Sequence, residues 1–150
     1  MKQLKFEFAN SEIEKYLDAI IEITSSNDNI YGWLKKKGKF FTQKIEPKSY
    51  GKMKACYYNS QSLALDNEDI EYYEGYAIDS KIGFPMEHGF AIKNRKVIDS
   101  TWKTGKEYFG VKIPKSYIRK YWLENKIAGA LLFYYYRDLN KRGQYAYKNV

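Results

Sequence analysis

One cysteine and one histidine are the residues of this chain best suited to covalent chemistry, and each occurs once in 150 residues. Cys56 opens an apolar segment, His88 opens a short apolar run further along, and Asp99 lies at the end of the next such run. A thiolate can attack a carbonyl carbon, an imidazole can hold the proton, and a carboxylate can fix the imidazole tautomer. These residue types predict a thiol nucleophile with its base and its orienting acid.

The segment 55–65 is predicted to be a helix that begins at the cysteine. Asn59, Ser60 and Leu63 follow Cys56 at the spacing of one helical face. In the first turn of a helix, free N–H groups and the positive end of the dipole favour a thiolate. The same N–H groups can receive the developing negative charge of a substrate oxygen.

Two short apolar runs, 88–92 and 97–101, are predicted to form a β-hairpin because the polar segment 93–96 between them is typical of a turn. Antiparallel pairing places the start of the first strand beside the end of the second. His88 is therefore expected to pair with Asp99 or with a close neighbour of it.

The remaining pattern indicates a single α+β domain over residues 1–150. At this length one core buries about two thirds of the surface that the unfolded chain exposes. Ser11 and Glu14 form a capping box at the start of an amphipathic helix. Further strands are predicted over 40–45, 71–79 and 108–113, and a helix over 116–126. The apolar run 128–139 fits either a helix or a strand, and an irregular tail is expected from residue 140.

Other chemistries have less support in the sequence. Glu71, Glu74 and Asp79 alternate along a predicted strand, which indicates an exposed face in preference to the paired carboxylates of a glycoside hydrolase. No phosphate-binding glycine motif occurs. One cysteine with one histidine is a poor zinc ligand set, so no metal and no cofactor are expected.

The charge balance favours acidic partners at low salt. Lys and Arg number 26 against 18 Asp and Glu, which gives a net charge of +8. The basic residues are dispersed apart from Lys35, Lys36, Lys37 and Lys39, so nucleic acid is the second choice of partner despite the 16 tyrosines. The N-terminus has no apolar core of signal-peptide length and the run 127–136 is too short to span a bilayer. We expect a cytoplasmic protein without a membrane partner.

Residues 87–102 read Glu-His-Gly-Phe-Ala-Ile-Lys-Asn-Arg-Lys-Val-Ile-Asp-Ser-Thr-Trp. This segment resembles the transglutaminase core, in which a histidine precedes a small and an aromatic residue, a turn and a strand lead on, and Asp-x-Thr-Trp ends the motif. With Cys56 it resembles the papain-like and transglutaminase-like superfamily over about a third of the chain. The resemblance implies a nucleophile helix packed on an antiparallel sheet. It further implies Cys56 as nucleophile, His88 as general base and acid, and Asp99 as orienter.

Two positions depart from the superfamily pattern. Papain-type enzymes carry a glutamine six residues before the cysteine to complete the oxyanion hole, and this chain has Tyr50 there. Gln43, Tyr50 and Trp33 are alternative side-chain donors. The residues after the histidine are Gly89 and Phe90, where the usual pair is a small residue and Trp.

Tyr57, Tyr58 and Trp102 are candidates for the wall of a substrate groove, and core packing is the alternative for each. The substrate that the resemblance implies is a protein, a peptide or a small amide.

Each catalytic candidate also has a structural explanation. A single cysteine can be a small buried hydrophobe, a histidine at a strand start can be a surface residue, and an aspartate before Ser-Thr can close a turn. The joint placement of the three residues favours a thiol-dependent hydrolase or acyltransferase. The alternative function is a catalytically inactive basic module that binds nucleic acid or an acidic protein.

Overall fold

An antiparallel sheet of five strands forms the centre of the computed structural model, which describes residues 7–24 and 29–148. The sheet has the order β1-β5-β2-β3-β4. The strands are β1 (Lys39–Phe41), β2 (Glu71–Asp79), β3 (Pro85–Lys93), β4 (Lys96–Ile98) and β5 (Gly105–Ile113). The helices are α1 (Glu12–Thr24), α2 (Ile30–Lys37), α3 (Cys56–Asp66), α4 (Lys115–Asn125) and α5 (Leu132–Lys148). The predicted α+β class is confirmed.

The predicted hairpin is present as β3 and β4. Ala91 pairs with Ile98 and Lys93 with Lys96. Asn94 and Arg95 form the turn with φ angles of 51° and 63°, the left-handed conformation that a tight hairpin turn with right-handed strand twist requires. The turn therefore fixes the register that brings the start of β3 and the residues after β4 to the same region.

The sheet closes on itself through the segment that follows β1. The N–H of Val97 in β4 donates to the carbonyl of Gln43, and the N–H of Ile45 donates to the carbonyl of Val97. The segment after β1, at one edge of the sheet, is therefore hydrogen-bonded to β4 at the opposite edge. The enclosed face carries a cluster of buried side chains that includes Tyr73, Phe90 and Tyr108.

The other face of the sheet packs against the helices. One cluster joins α1 and α2 to the sheet through Ile13, Leu17 and Leu34. A second cluster includes Ala64 of α3 and Ile118 of α4. No helix in the described part of the chain is both long enough and apolar enough to cross a membrane.

The expectation that Glu71, Glu74 and Asp79 form an exposed face is wrong. The helices cover one face of β2 and the enclosed cluster covers the other. Glu74 is 2% exposed and Asp79 is 9% exposed, while Glu71 at the strand start is half-buried. Glu71 and Asp79 lie on one face of the strand and Glu74 lies on the other, so the covering of each face by other elements decides their burial.

The ambiguous C-terminal run resolves into a loop followed by a helix. Helix α5 begins at Leu132 and continues to Lys148, so the irregular tail expected from residue 140 is also wrong. At the other end of the chain the predicted capping box is confirmed, because Ser11 Oγ accepts from the N–H of Glu14 at 3.1 Å. The Glu14 carboxylate in turn accepts from the N–H of Asn10.

Candidate active site

His88 and Asp99 form a buried pair, with His88 Nε2 3.0 Å from Asp99 Oδ2. Each residue is 1% exposed. The hairpin brings them together, because His88 lies on β3 and Asp99 follows directly after the last residue of β4. An ionised carboxylate only accepts hydrogen bonds, so Nε2 carries a proton and donates it to Asp99. The other ring nitrogen, Nδ1, is then left to accept a proton from elsewhere.

Asp99 is held by four hydrogen bonds. Tyr108 Oη donates to Oδ2 at 2.6 Å, which makes this carboxylate oxygen the shared acceptor of Tyr108 and His88. The N–H groups of Thr101 and Trp102 both donate to Oδ1 at 2.9 Å. Burial opposes ionisation, but the hydrogen bonds and the charge of His88 outweigh it, so the pKa of Asp99 lies below its usual range.

The surroundings of His88 favour its charged form. Burial alone lowers the pKa of an imidazole, but hydrogen-bonding interactions with Asp99 and with the Cys56 side chain raise the pKa of His88 above its usual value. The negative charges of Asp99 and of a Cys56 thiolate act in the same direction. The imidazole therefore lies between a carboxylate and a thiol, with each of its partners stabilising the imidazolium.

Cys56 is the first residue of α3 and is partly exposed. Its position follows from the way α3 is attached to the hairpin. Ser60 Oγ donates to the carbonyl of Gly89 at 3.0 Å, and Asn59 Nδ2 donates to Thr101 Oγ1 at 2.9 Å. One bond fixes the helix to the strand that carries His88, and the other fixes it to the turn that holds Asp99.

The segment before α3 is anchored to the same turn. The N–H of Gly51 donates to the carbonyl of Ser100 at 2.8 Å. Asn59 Nδ2 also donates to the carbonyl of Lys52 at 3.0 Å. The backbone of Gly51 lies so close to the Asn59 amide that a Cβ at this position would overlap it. The segment that leads to Cys56 is therefore closely packed on both sides.

The three alternative oxyanion donors lie in different places. Tyr50 is the nearest in the chain to the site, but its Oη donates to Glu46 Oε1 at 2.9 Å. That hydrogen bond, followed by desolvation and the negative charges of Glu46 and Asp99, raises the pKa of Tyr50.

Gln43 and Trp33 have other environments. The carbonyl of Gln43 accepts from Val97, and its side chain is exposed. Trp33 packs in the α1–α2 cluster against the rings of Tyr135 and Tyr136. The N–H groups of the first turn of α3 are therefore the donors that lie next to Cys56 itself.

The three residues predicted to line a substrate groove also lie in different environments. The Trp102 ring lies on the His88 ring and packs against the enclosed cluster. Tyr57 is half-buried on the helix-covered face, where its ring would lie 2.9 Å from a Cβ at Gly89. Tyr58 is 57% exposed and stacks on Trp122.

Sequence reasoning missed Tyr108 and Glu74. Tyr108 lies within a predicted strand, but nothing in a strand pattern shows which tyrosine hydroxyl will meet the aspartate. The Glu74 carboxylate accepts from Tyr72 Oη at 2.5 Å and from the N–H groups of Leu131 and Leu132 at 2.6 and 2.7 Å. Burial, opposed by these hydrogen bonds, raises the pKa of Glu74 to about 7.

Within the described ranges no three or more His, Cys, Asp or Glu side chains are grouped to hold a metal ion. What this site offers chemically is a partly exposed thiol, a buried imidazole and a buried carboxylate in one line of interactions. Comparisons of the chain with protein-family models, with curated proteins and with solved structures found no match.

Proposed function

We propose that this protein is a thiol-dependent hydrolase or acyltransferase that acts on an amide through an acyl-enzyme. The observation that supports the proposal is the hydrogen bond of 3.0 Å between His88 Nε2 and Asp99 Oδ2, which lies beside a cysteine at the first position of a helix. A buried imidazole held between a carboxylate and a partly exposed thiol is the arrangement that activates a cysteine nucleophile.

In the proposed reaction Cys56 Sγ attacks the amide carbonyl carbon after its proton has passed to His88 Nδ1. The carbonyl oxygen becomes negative and receives hydrogen bonds from the N–H groups at the start of α3. When the tetrahedral intermediate collapses, the C–N bond breaks and His88 returns the proton to the leaving amine. The product of this half-reaction is a thioester between the substrate acyl group and Cys56.

The second half-reaction regenerates the thiol. A water molecule or an amine attacks the thioester carbonyl and gives its proton to His88 Nδ1. The C–S bond then breaks, and His88 returns that proton to the Cys56 sulfur. Water yields hydrolysis and an amine yields transfer. Asp99 keeps the proton on Nε2 throughout, so that Nδ1 remains the basic nitrogen.

We also propose a papain-like or transglutaminase-like fold for the domain. Three features of the chain support it: the order Cys, His, Asp, a helix that begins at the cysteine, and an antiparallel sheet that carries the histidine. The substrate would be a protein, a peptide or a small amide.

Alkylation of Cys56 by iodoacetamide tests the proposed chemistry, with the rate measured from pH 5 to pH 9 by mass spectrometry. In the parent protein we expect fast labelling near neutral pH, about tenfold faster at pH 6.5 than in His88→Asn, because the imidazolium stabilises the thiolate. Cys56→Ala is the negative control and should not be labelled. Labelling that rises only at alkaline pH and is the same in the folded His88→Asn variant would contradict the proposal.

A further inference from the structure

A cleft of about 130 Å³ opens beside the first turn of α3 and is unused by the proposed reaction. It lies between α2, α5 and the strands β2 and β3. The lining residues that matter for its chemistry are Tyr31, Tyr57, Tyr76, Glu74, Glu87 and Phe133.

Two residues of the cleft lining are sequence neighbours of Cys56 and His88. Tyr57 directly follows Cys56 on α3, and Glu87 directly precedes His88 on β3. Neighbouring residues of a strand point to opposite faces, so the Glu87 side chain points away from that of His88 and lies on the helix-covered face, where Glu87 pairs in register with Tyr76. Burial raises the pKa of Tyr57, and the charges of Glu74, Cys56 and Glu87 raise it further. The Tyr57 hydroxyl therefore lies in the electrostatic field of both the thiol and the cleft carboxylates.

The carboxylates of the cleft differ in their availability. Glu74 is fully occupied by Tyr72, Leu131 and Leu132. Glu87 is exposed, and its carboxylate makes no hydrogen bond or ion pair with any residue of the described ranges. The cleft thus combines one carboxylate that is free to bind a ligand with several aromatic rings.

A cleft with this combination of groups favours cationic ligands over anionic ones. Aromatic faces attract ammonium and guanidinium groups, and a carboxylate on the same wall adds a direct ionic contact. An anionic ligand would meet repulsion from Glu87, and the buried Glu74 carboxyl adds to that repulsion whenever it is ionised. The chain as a whole carries a net charge of +8, so this negative cleft is a local exception on a basic protein.

We propose that the cleft binds a cationic side chain of the substrate, an arginine-like or lysine-like group near the amide that Cys56 attacks. The assignment of the cleft to a substrate rests on the proposed thiol chemistry, whereas the binding of the cation itself does not. Glu87 is the residue that determines the preference for positive charge, and Tyr31, Tyr57 and Tyr76 provide the aromatic wall.

Direct binding is measured by NMR titration with N-acetyl-arginine amide and with its neutral analogue N-acetyl-citrulline amide. In the parent protein we expect the arginine compound to bind about fivefold more tightly and to shift the signals of Tyr57 and Tyr31. Glu87→Gln should remove the difference. Glu68→Gln makes the same charge change at an exposed residue beyond the opposite end of α3 and should preserve it. Equal binding of the two compounds, or equal effects of the two variants, would overturn the proposal.

The link to the nucleophile is measured with chloroacetamide probes that carry either the arginine or the citrulline side chain. We expect faster labelling of Cys56 by the cationic probe in the parent and in Glu68→Gln, and no preference in Glu87→Gln. The preference is the ratio of the two labelling rates within each protein, so it does not depend on the intrinsic reactivity of the thiol, which plain iodoacetamide measures. Arginine binding without a labelling preference would overturn the assignment of the cleft to the substrate. An unreactive thiol with arginine binding intact would contradict the proposed function and leave the cation site established.

Discussion

The indole ring of Trp102 lies face to face on the imidazole ring of His88, with the ring centroids 3.8 Å apart and the planes inclined by 14°. The backbone N–H of Trp102 also donates to Asp99 Oδ1, so one residue holds His88 by its side chain and Asp99 by its backbone. An imidazole fixed at Nε2 by Asp99 and across its face by an indole has little freedom to rotate. Trp102 is therefore a positioning residue for His88.

Replacing Trp102 with leucine should slow the alkylation of Cys56 at pH 6.5 by about three- to tenfold, since stacked aromatic pairs are worth about 0.5–1.5 kcal/mol. Trp102→Phe keeps a ring and should retain most of the rate. The decisive measurement is a double-mutant cycle, in which Trp102→Leu should have no further effect in a His88→Asn background. Independent, additive effects would show that Trp102 does not act through His88.

The single histidine of the chain gives a single imidazole signal in an NMR titration, so its pKa can be measured without assignment. In Asp99→Asn that pKa should fall, because the negative charge and the hydrogen bond that favour the imidazolium are lost while its burial remains. Asp69→Asn, at an exposed carboxylate paired with Lys93, serves as the control and should leave the titration unchanged. An unshifted titration in folded Asp99→Asn would argue against the pairing.

Glu74 should make the protein less stable as the pH rises from about 5 to about 8. Its pKa is raised to about 7 by burial, so the folded state binds a proton that the unfolded state has lost near pH 4.5. When the pKa of a group is higher in the folded state, proton binding stabilises the folded state fully at pH values below the pKa of the unfolded state. This stabilisation is lost as the pH rises through the pKa of the folded state. At about 1.4 kcal/mol per pH unit, the free energy of unfolding should fall by about 3 kcal/mol over this interval.

Urea unfolding at pH 5 and pH 8 checks this dependence. From pH 5 to pH 8 the free energy of unfolding of the parent should fall by that amount relative to that of Glu74→Gln, because glutamine does not titrate. Comparing the two proteins removes the contribution of His88, which titrates in both. Glu68→Gln should keep the parent profile, and a Glu74→Gln profile parallel to that of the parent would refute the prediction.

Gly51→Ala should slow Cys56 alkylation by about three- to tenfold, since misplaced catalytic geometry of this kind is costly even when the fold survives. The added methyl group would overlap the Asn59 amide and displace it from Thr101 and Lys52, which fix the first turn of α3. Gly129→Ala is a matched control, because its Cβ would lie at an ordinary 3.5 Å from the nearest atom, Tyr121 Oη. A parent-like rate in Gly51→Ala would mean that the Asn59 contacts do not hold the thiol in place.

Local sequence patterns carried enough information to predict the hairpin and the helix that begins at Cys56. The two short apolar runs 88–92 and 97–101 on either side of a polar turn predict the hairpin, and its register places His88 near Asp99. The residue types needed for thiol chemistry then identify Cys56, because the chain contains a single cysteine. These predictions depend on contacts between residues close in sequence or on rare residue types.

The environment of Glu74 could not be predicted in the same way. Its burial follows from the helices and the segment before α5 that cover β2, and β2 is itself held in the sheet by pairing with β5 from about 26 to 41 positions along the chain. The Tyr108 bond to Asp99 depends on the same long-range pairing. Carboxylates spaced along a strand are compatible with a solvated face and with a covered one, so only the tertiary structure distinguishes a solvated carboxylate from a buried one.

His88 and Asp99 belong to one short hairpin, whereas Cys56 reaches them through the docking of α3, which Ser60, Asn59 and the preceding Gly51 fix by hydrogen bonds. The two halves of the site thus belong to separate structural units, joined by these hydrogen bonds and by the packing of α3 on the sheet. A local opening that releases the helix from the hairpin would separate sulfur from imidazole while the sheet stays folded. Loss of thiol reactivity on mild heating should then precede the loss of secondary structure.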